Sequence, residues 1–254
     1  MRIIVCIKAV PDTNASLKVG PDNKTINPQG VKFVMSPYDA VACSKAVELK
    51  GDGELVAVST GKKGGEMDAG KRIKDALALG ADRGVYIPDD ADHRDSLGVA
   101  KALAAAIKAQ DGFDLVLFGR QAVDTQALAV GPMVAQLLDI PFVMDITDLQ
   151  IADGKATVKR TAEGRTETLE VPLPAAFSAQ RGLAEERYAK LKDILKAKKK
   201  KVEDFAFEFP ESTVEVVEMT PPPERKAGTM LTNGADDVPE LLRLLQEEAK
   251  ALSF

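Results

Sequence analysis

The stretch Leu115-Val116-Leu117-Phe118-Gly119-Arg120-Gln121-Ala122-Val123-Asp124-Thr125 decides the fold. Four consecutive apolar residues read as a strand buried on both faces. Gly119 ends it, a mostly polar loop follows, and residues 126–138 carry helical periodicity. A buried strand that passes through a glycine loop into a helix is half of a βαβ unit.

The same half-unit recurs upstream. Residues 3–7 are a β-branched strand, and residues 54–59 and 84–87 are two more. Helices are expected over residues 37–49, 66–79 and 95–109, the first opened by Pro37 with Ser36 as N-cap and the second closed by Gly80. Residues 17–26 read as a small hairpin turning on Gly20, Pro21, Asp22 and Asn23. Downstream, residues 146–151, 156–160 and 166–171 alternate as antiparallel strands with turns at Asp153-Gly154 and Glu163-Gly164, and residues 175–178 return to the parallel sheet. The expected fold is α/β, a mostly parallel doubly wound sheet of the adenine-nucleotide-binding type, with a small antiparallel section and a C-terminal arm. Residues 1–204 form the nucleotide-binding domain and residues 205–254 the arm, which ends in a helix over residues 238–252.

Composition narrows the function classes. The 254 residues carry a net charge of −5, which argues against a nucleic-acid binder. Cys6 and Cys43 are too few for a disulfide framework or a zinc site and read as buried, reduced thiols. No apolar run approaches a membrane span, and MRIIVCIK shows no secretory h-region, so a cytoplasmic chain without membrane insertion is expected. The single histidine, His93, sits in a polar loop and reads as solvated, so no His-dependent triad and no metal site is expected. Gly65 to Gly70-Lys71 has phosphate-loop spacing, but Arg72 replaces the magnesium-binding hydroxyl and the run lies within a helical pattern.

In open parallel sheets ligands bind beyond the carboxyl ends of strands. Four loops qualify here: residues 8–12, 35–39, 59–62 and 119–125. The run Lys196 to Lys201, preceded by Lys190 and Lys192, surrounds Leu191, Ile194 and Leu195. An apolar point ringed by positive charge suits the docking of an acidic partner.

Four blocks together resemble one family. They are Ile4-Val5-Cys6-Ile7-Lys8-Ala9-Val10-Pro11-Asp12, then Ser36-Pro37-Tyr38-Asp39, then Val158-Lys159-Arg160-Thr161-Ala162-Glu163-Gly164 running on to Pro174, and Arg187-Tyr188-Ala189-Lys190-Leu191 through Lys201. Along nearly its whole length the chain resembles the β subunit of electron transfer flavoproteins. The resemblance implies a heterodimer with an α subunit that carries most of the FAD site, and an AMP, or a second FAD, on the β subunit. It implies cofactor contacts at Ala9, Ser36, Pro37, Tyr38, Asp39, Thr60, Gly119, Arg120, Gln121, Ala122, Val123, Asp124, Thr125, Gln126, Ala127, Leu128, Ala129 and Val130. It also implies a recognition loop over about residues 187–201, with Leu191 as anchor and Ile194, Lys196 and Lys199 around it.

Electrons would come from flavin dehydrogenases of the acyl-CoA dehydrogenase type and pass to a membrane quinone oxidoreductase, with no turnover by this chain alone. Ala127 and Ala129 stand where the family commonly has polar, phosphate-facing groups. A longer phosphate chain needs donors this loop lacks, so AMP is expected over a second FAD. Two other readings are an NADH-oxidising bifurcating subunit and a universal-stress-type ATP-binding homodimer.

Overall fold

The computed structural model describes residues 1–224 and 227–252. The chain forms two compact units, Met1–Met219 and Thr220–Phe254.

The first unit is built on one sheet. In chain order its strands are β1 (Arg2–Cys6), β4 (Glu54–Gly61), β5 (Arg83–Pro88), β6 (Leu115–Gly119), β7 (Phe142–Ala152), β8 (Lys155–Ala162), β9 (Arg165–Pro172), β10 (Ala175–Ala179) and β11 (Val202–Asp204). A separate two-stranded sheet joins β2 (Ala9–Pro11) to β3 (Phe33–Met35). The spatial order is β11-β5-β4-β1-β6-β10-β7-β8-β9, parallel as far as β7 and antiparallel from β7 to β9.

Alternation along each central strand fixes the two faces. Ile3, Val5, Leu115 and Leu117 join one core with Ala42 and Ala46 of α1 (Pro37–Leu49) and Ile73 and Leu77 of α2 (Ala69–Leu79). Ile4, Cys6, Val116 and Phe118 point the other way, onto Leu103 and Ile107 of α3 (Ser96–Lys108) and Val134 of α4 (Val130–Leu138). Helices on both faces of a parallel sheet make the doubly wound α/β architecture that the sequence predicts. Successive crossovers go one way from β1 to β4 and β5, and the other way to β6, so the switch point lies between β1 and β6.

Several boundaries differ from expectation for local reasons. The expected helix over residues 66–79 starts at Ala69, because Asp68 accepts the Lys71 amide as N-cap. The helix expected from Gln126 starts at Val130, since Gln126 and Leu128 have φ of 51° and 53°, which interrupt helical geometry. Residues 17–26 hold a single bridge, Val19 to Ile26, instead of a hairpin. Ser36 occupies the N-cap position of α1 without capping it: its hydroxyl donates to the Gln121 carbonyl (3.4 Å). Residues beyond 204 continue within the first unit as far as Met219. Phe205, Phe207 and Phe209 pack against the α3–α4 core, and the Phe205 amide donates to the Tyr86 carbonyl (2.7 Å).

The basic helix α5 (Leu191–Ala197) seats Ala197 in the core beside α2. The second unit holds a 3-10 turn (Gly234–Asp237), α6 (Val238–Arg243) and a π-type turn (Leu244–Glu248), with Val238, Leu241 and Leu242 exposed. Among the described residues no helix is long and apolar enough to cross a membrane.

Candidate functional site

A cavity of about 370 Å³ opens at the carboxyl ends of β1, β4 and β6. This is where the crossovers diverge and neighbouring helices leave room for a ligand. One wall is apolar, built from Val99 and Leu103 of α3, Phe118 of β6, and Phe142 and Met144 of β7. Phe118 and Phe142 meet edge to face at 6.3 Å. The polar floor comes from Lys8, Asp39, Thr60 and the loop from Gly119 to Ala122.

Asp39 organises that floor. It stands in the first turn of α1, is buried, and bridges two strand ends. Its Oδ2 accepts the Lys8 amide (2.8 Å) and its Oδ1 accepts the Gly119 amide (3.1 Å). Burial pushes its carboxyl up to about 7, against the lowering effect of those two amides. Gly119 is required for this approach, because a Cβ there would stand 2.2 Å from Asp39 Oδ1 and 2.7 Å from the Asp39 nitrogen. Cys6 and Cys43 are free, buried thiols, raised by the same desolvation, Cys43 to about 12.

The cations that line the cavity are already engaged. Lys8 pairs with Asp124 (2.8 Å), Arg94 with Asp89 (2.9 Å) and Arg120 with Asp145 (3.2 Å). Thr60 donates its hydroxyl to the Ile87 carbonyl (3.0 Å). The first turn of α4 has no side-chain cap, which leaves the Val130 and Gly131 amides as backbone donors, Pro132 having none, beside the side chains of Gln121 and Thr125.

Of the expected contacts, Asp39, Thr60, Gly119, Arg120, Gln121, Ala122, Thr125, Ala127, Leu128, Ala129 and Val130 line the cavity together. Ala9, Ser36, Pro37, Tyr38, Val123, Asp124 and Gln126 do not line it. Ala9 pairs with Met35 in the small sheet, and Tyr38 lies 5.6 Å beneath the Arg181 guanidinium. Asp124 acts at one remove, through Lys8.

Sequence reasoning passed over the wall formed by residues 93–96 and Val214. His93 is exposed, as its polar loop suggests, but it stands at the rim. Asp95 is buried, caps α3 through the Gly98 amide (2.7 Å) and accepts both the amide and hydroxyl of Thr213 (2.7 Å each). Those bonds hold its carboxyl down to about 2. Arg94 donates to the Pro210 carbonyl (3.0 Å) and lies 4.6 Å over the Phe209 ring. The one available signal was Asp95 followed by a long Ala-rich helix, an N-cap pattern.

Away from the cavity, α5 presents the docking residues. Leu191 is 73% exposed, with Ile194 and Leu195 exposed beside it. Lys196, Lys198 and Lys199 are exposed around them. Lys200 turns inward and donates to the Leu77 and Ala81 carbonyls at the end of α2, and Lys201 pairs with Glu203.

Residues 24–210 match the family described as the electron transfer flavoprotein domain. The electron transfer flavoprotein subunit beta of Syntrophomonas wolfei is 39% identical over 244 residues, covering 95% of this chain and 92% of the relative. That of Bacillus subtilis is 35% identical over 264 residues, covering 99% and 100%. That of Homo sapiens is 35% identical over 252 residues, covering 95% and 96%.

Proposed function

Because this chain belongs to the electron transfer flavoprotein family, as a β subunit with an electron-transfer role, we propose that it works as the docking half of a heterodimer and holds an AMP at its switch point. The α subunit supplies the FAD that carries the electrons. Flavin dehydrogenases of the acyl-CoA dehydrogenase type load that flavin, and a membrane quinone oxidoreductase unloads it.

One observation carries this reading: Leu191, Ile194 and Leu195 stand exposed on α5 within a collar of lysines. Exposed apolar side chains in such a group mark a contact surface, where burial supplies affinity and charge raises the encounter rate. Lys200 and Lys201 anchor the base of the loop, leaving Lys196 and Lys199 to steer. The unit Thr220–Phe254, with Val238, Leu241 and Leu242 exposed on α6, is the arm that packs on the α subunit.

The cavity supports AMP as the nucleotide. Its volume, about 370 Å³, lies near the low end of the roughly 300–1,000 Å³ usual for small-molecule sites. The wall of Val99, Leu103, Phe118 and Phe142 suits an adenine ring, and the uncapped start of α4 suits one phosphate. Lys8, Arg94 and Arg120, the lysine and arginines of the lining, already answer carboxylates, which favours one phosphate over two.

The test is nucleotide content. The chain is co-purified with its α subunit and denatured, and the released FAD and AMP are quantified by chromatography. One FAD and one AMP per heterodimer is the expected result. Two FAD and no AMP would move the assignment to the bifurcating class, and one FAD with no AMP would remove the nucleotide from this subunit.

A further inference from the structure

The helix that carries the docking residues is too short to hold itself. α5 has seven residues, no side-chain cap at its start, and Ala197 as its one buried residue. Isolated helices below about 12–15 residues are marginal in water, so contacts outside α5 must fix the direction in which Leu191 points. Two such contacts stand at the ends of the segment. Before the helix, the Arg187 amide donates to Ser44 Oγ (3.1 Å), and Ser44, fully buried in α1, donates in turn to the Ala40 carbonyl (2.8 Å). After it, the Lys200 ammonium donates to the Leu77 (3.0 Å) and Ala81 (2.5 Å) carbonyls.

The second contact meets a need of α2. The Gly80 and Ala81 amides both donate to the Ala76 carbonyl (3.1 and 3.0 Å) and pass over that of Leu77. A carbonyl left over at a helix C-terminus accepts readily from a lysine, whose charge also suits the helix dipole there. Beyond Lys200 the chain is fixed as well: the Gly84 amide donates to the Lys201 carbonyl (2.9 Å), and β11 pairs with β5. Lys196, Lys198 and Lys199 are exposed, whereas Lys200 is half-buried, and that burial draws its ammonium below the ordinary lysine value.

Resting on the docking reading above, we propose that Lys200 and Ser44 are positioning residues: they clamp the segment 187–200 to α2 and α1 and so aim Leu191 at the flavin dehydrogenase. One lysine of the run therefore serves α2 and takes no part in steering. A segment fixed before the encounter loses less conformational freedom when it docks, so the clamp acts on formation of the complex and not on the electron transfer that follows.

The test is a double-mutant cycle on the full heterodimer, read as KM and kcat for its reduction by an acyl-CoA dehydrogenase. Lys200→Met should raise KM tenfold or more and leave kcat within twofold. With Leu191→Ala already present, Lys200→Met should raise KM less than threefold further, because the side chain being aimed is gone. Lys200→Met should keep the wild-type dependence of KM on salt, whereas Lys199→Met, which removes an outer charge, should flatten it. A rise in KM below threefold for Lys200→Met, additive effects of the two substitutions, or a salt dependence flattened as in Lys199→Met would each overturn the inference and leave the docking reading intact. A KM unchanged by Leu191→Ala would remove the docking reading, and this inference with it. If Lys200→Met does not assemble with its partner, Ser44→Ala takes its place. It should raise KM at least threefold with kcat and FAD content unchanged, and a smaller rise would overturn the clamp.

Discussion

Replacing Gly119 with alanine tests the join between β1, β6 and α1 most directly. The added methyl would lie 2.2 Å from Asp39 Oδ1, 2.7 Å from the Asp39 nitrogen and 2.8 Å from the Tyr38 carbonyl carbon. Two of those atoms are backbone at the head of a helix, so a rotamer change cannot relieve the clash. Overpacking of this kind costs roughly 1–3 kcal/mol, and the backbone contacts put it at the upper end. Displacing Asp39 also breaks the charge-assisted bond from the Gly119 amide, worth about 1.5–3 kcal/mol. Together the loss is roughly 4–6 kcal/mol. For a unit of this size, about 2–4 °C of melting temperature accompanies each kcal/mol, so Tm should fall by about 8–24 °C. Differential scanning calorimetry reads the shift, with Gly228→Ala as control, since nothing lies within 4 Å of a Cβ there. A Tm for Gly119→Ala within 2 °C of the wild type would refute the close packing of β6 on α1 and the bridging role of Asp39.

Three further outcomes are expected. Leu191→Ala should lower kcat/KM for reduction by the donor dehydrogenase by roughly ten- to a hundredfold, the equivalent of about 1.5–3 kcal/mol of lost apolar burial, while leaving FAD content unchanged; stopped-flow kinetics at low donor concentration would show it, and unaltered rates would dismiss the anchor. Asp39, raised from 3.8 to about 7 in the folded chain, binds more protons folded than unfolded between those values, so its contribution is full below about pH 4 and is lost as pH rises towards 7. Asp39→Asn should therefore gain Tm relative to the wild type across that window, and a pH-independent difference would contradict the shift. Thr213→Val removes the hydroxyl bonded to Asp95 but keeps the amide, and should cost about 1–2 kcal/mol by urea denaturation; no change in midpoint would show that the 205–219 segment is not held there.

The parallel sheet was legible because its strands are short, apolar on both sides, and punctuated by glycine; Leu115 to Gly119 is the clearest case. The return of residues 175–178 to the parallel sheet could be read for the same reason, though not its place beside β6. Most of the cavity followed from a positional rule, since loops after strand ends gather at one edge whatever their side chains. What escaped the sequence depended on pairing across long separations. The bond between Asp95 and Thr213 spans 118 residues, and neither residue advertises the other. Asp39 stood among the cofactor contacts that the resemblance implies, but only the fold brings the Lys8 and Gly119 amides to it. Gln126 to Ala129 carried helical periodicity, yet two left-handed residues delay α4 to Val130, a backbone choice that composition does not encode.

The order of strands also bears on synthesis at the ribosome. In the finished sheet β10 lies between β6 and β7, so the last strand of the central block to be translated fills a slot between two made earlier. A nascent chain that has reached Pro174 can pair β7 with β8 and β9 as local hairpins, and β1 with β4 and β6. It still carries two open strand edges facing a gap, and open edges invite pairing with other chains. Five residues, Ala175–Ala179, all buried, close both edges at once. The meander and the parallel block thus become one sheet only after about seven-tenths of the chain has been made.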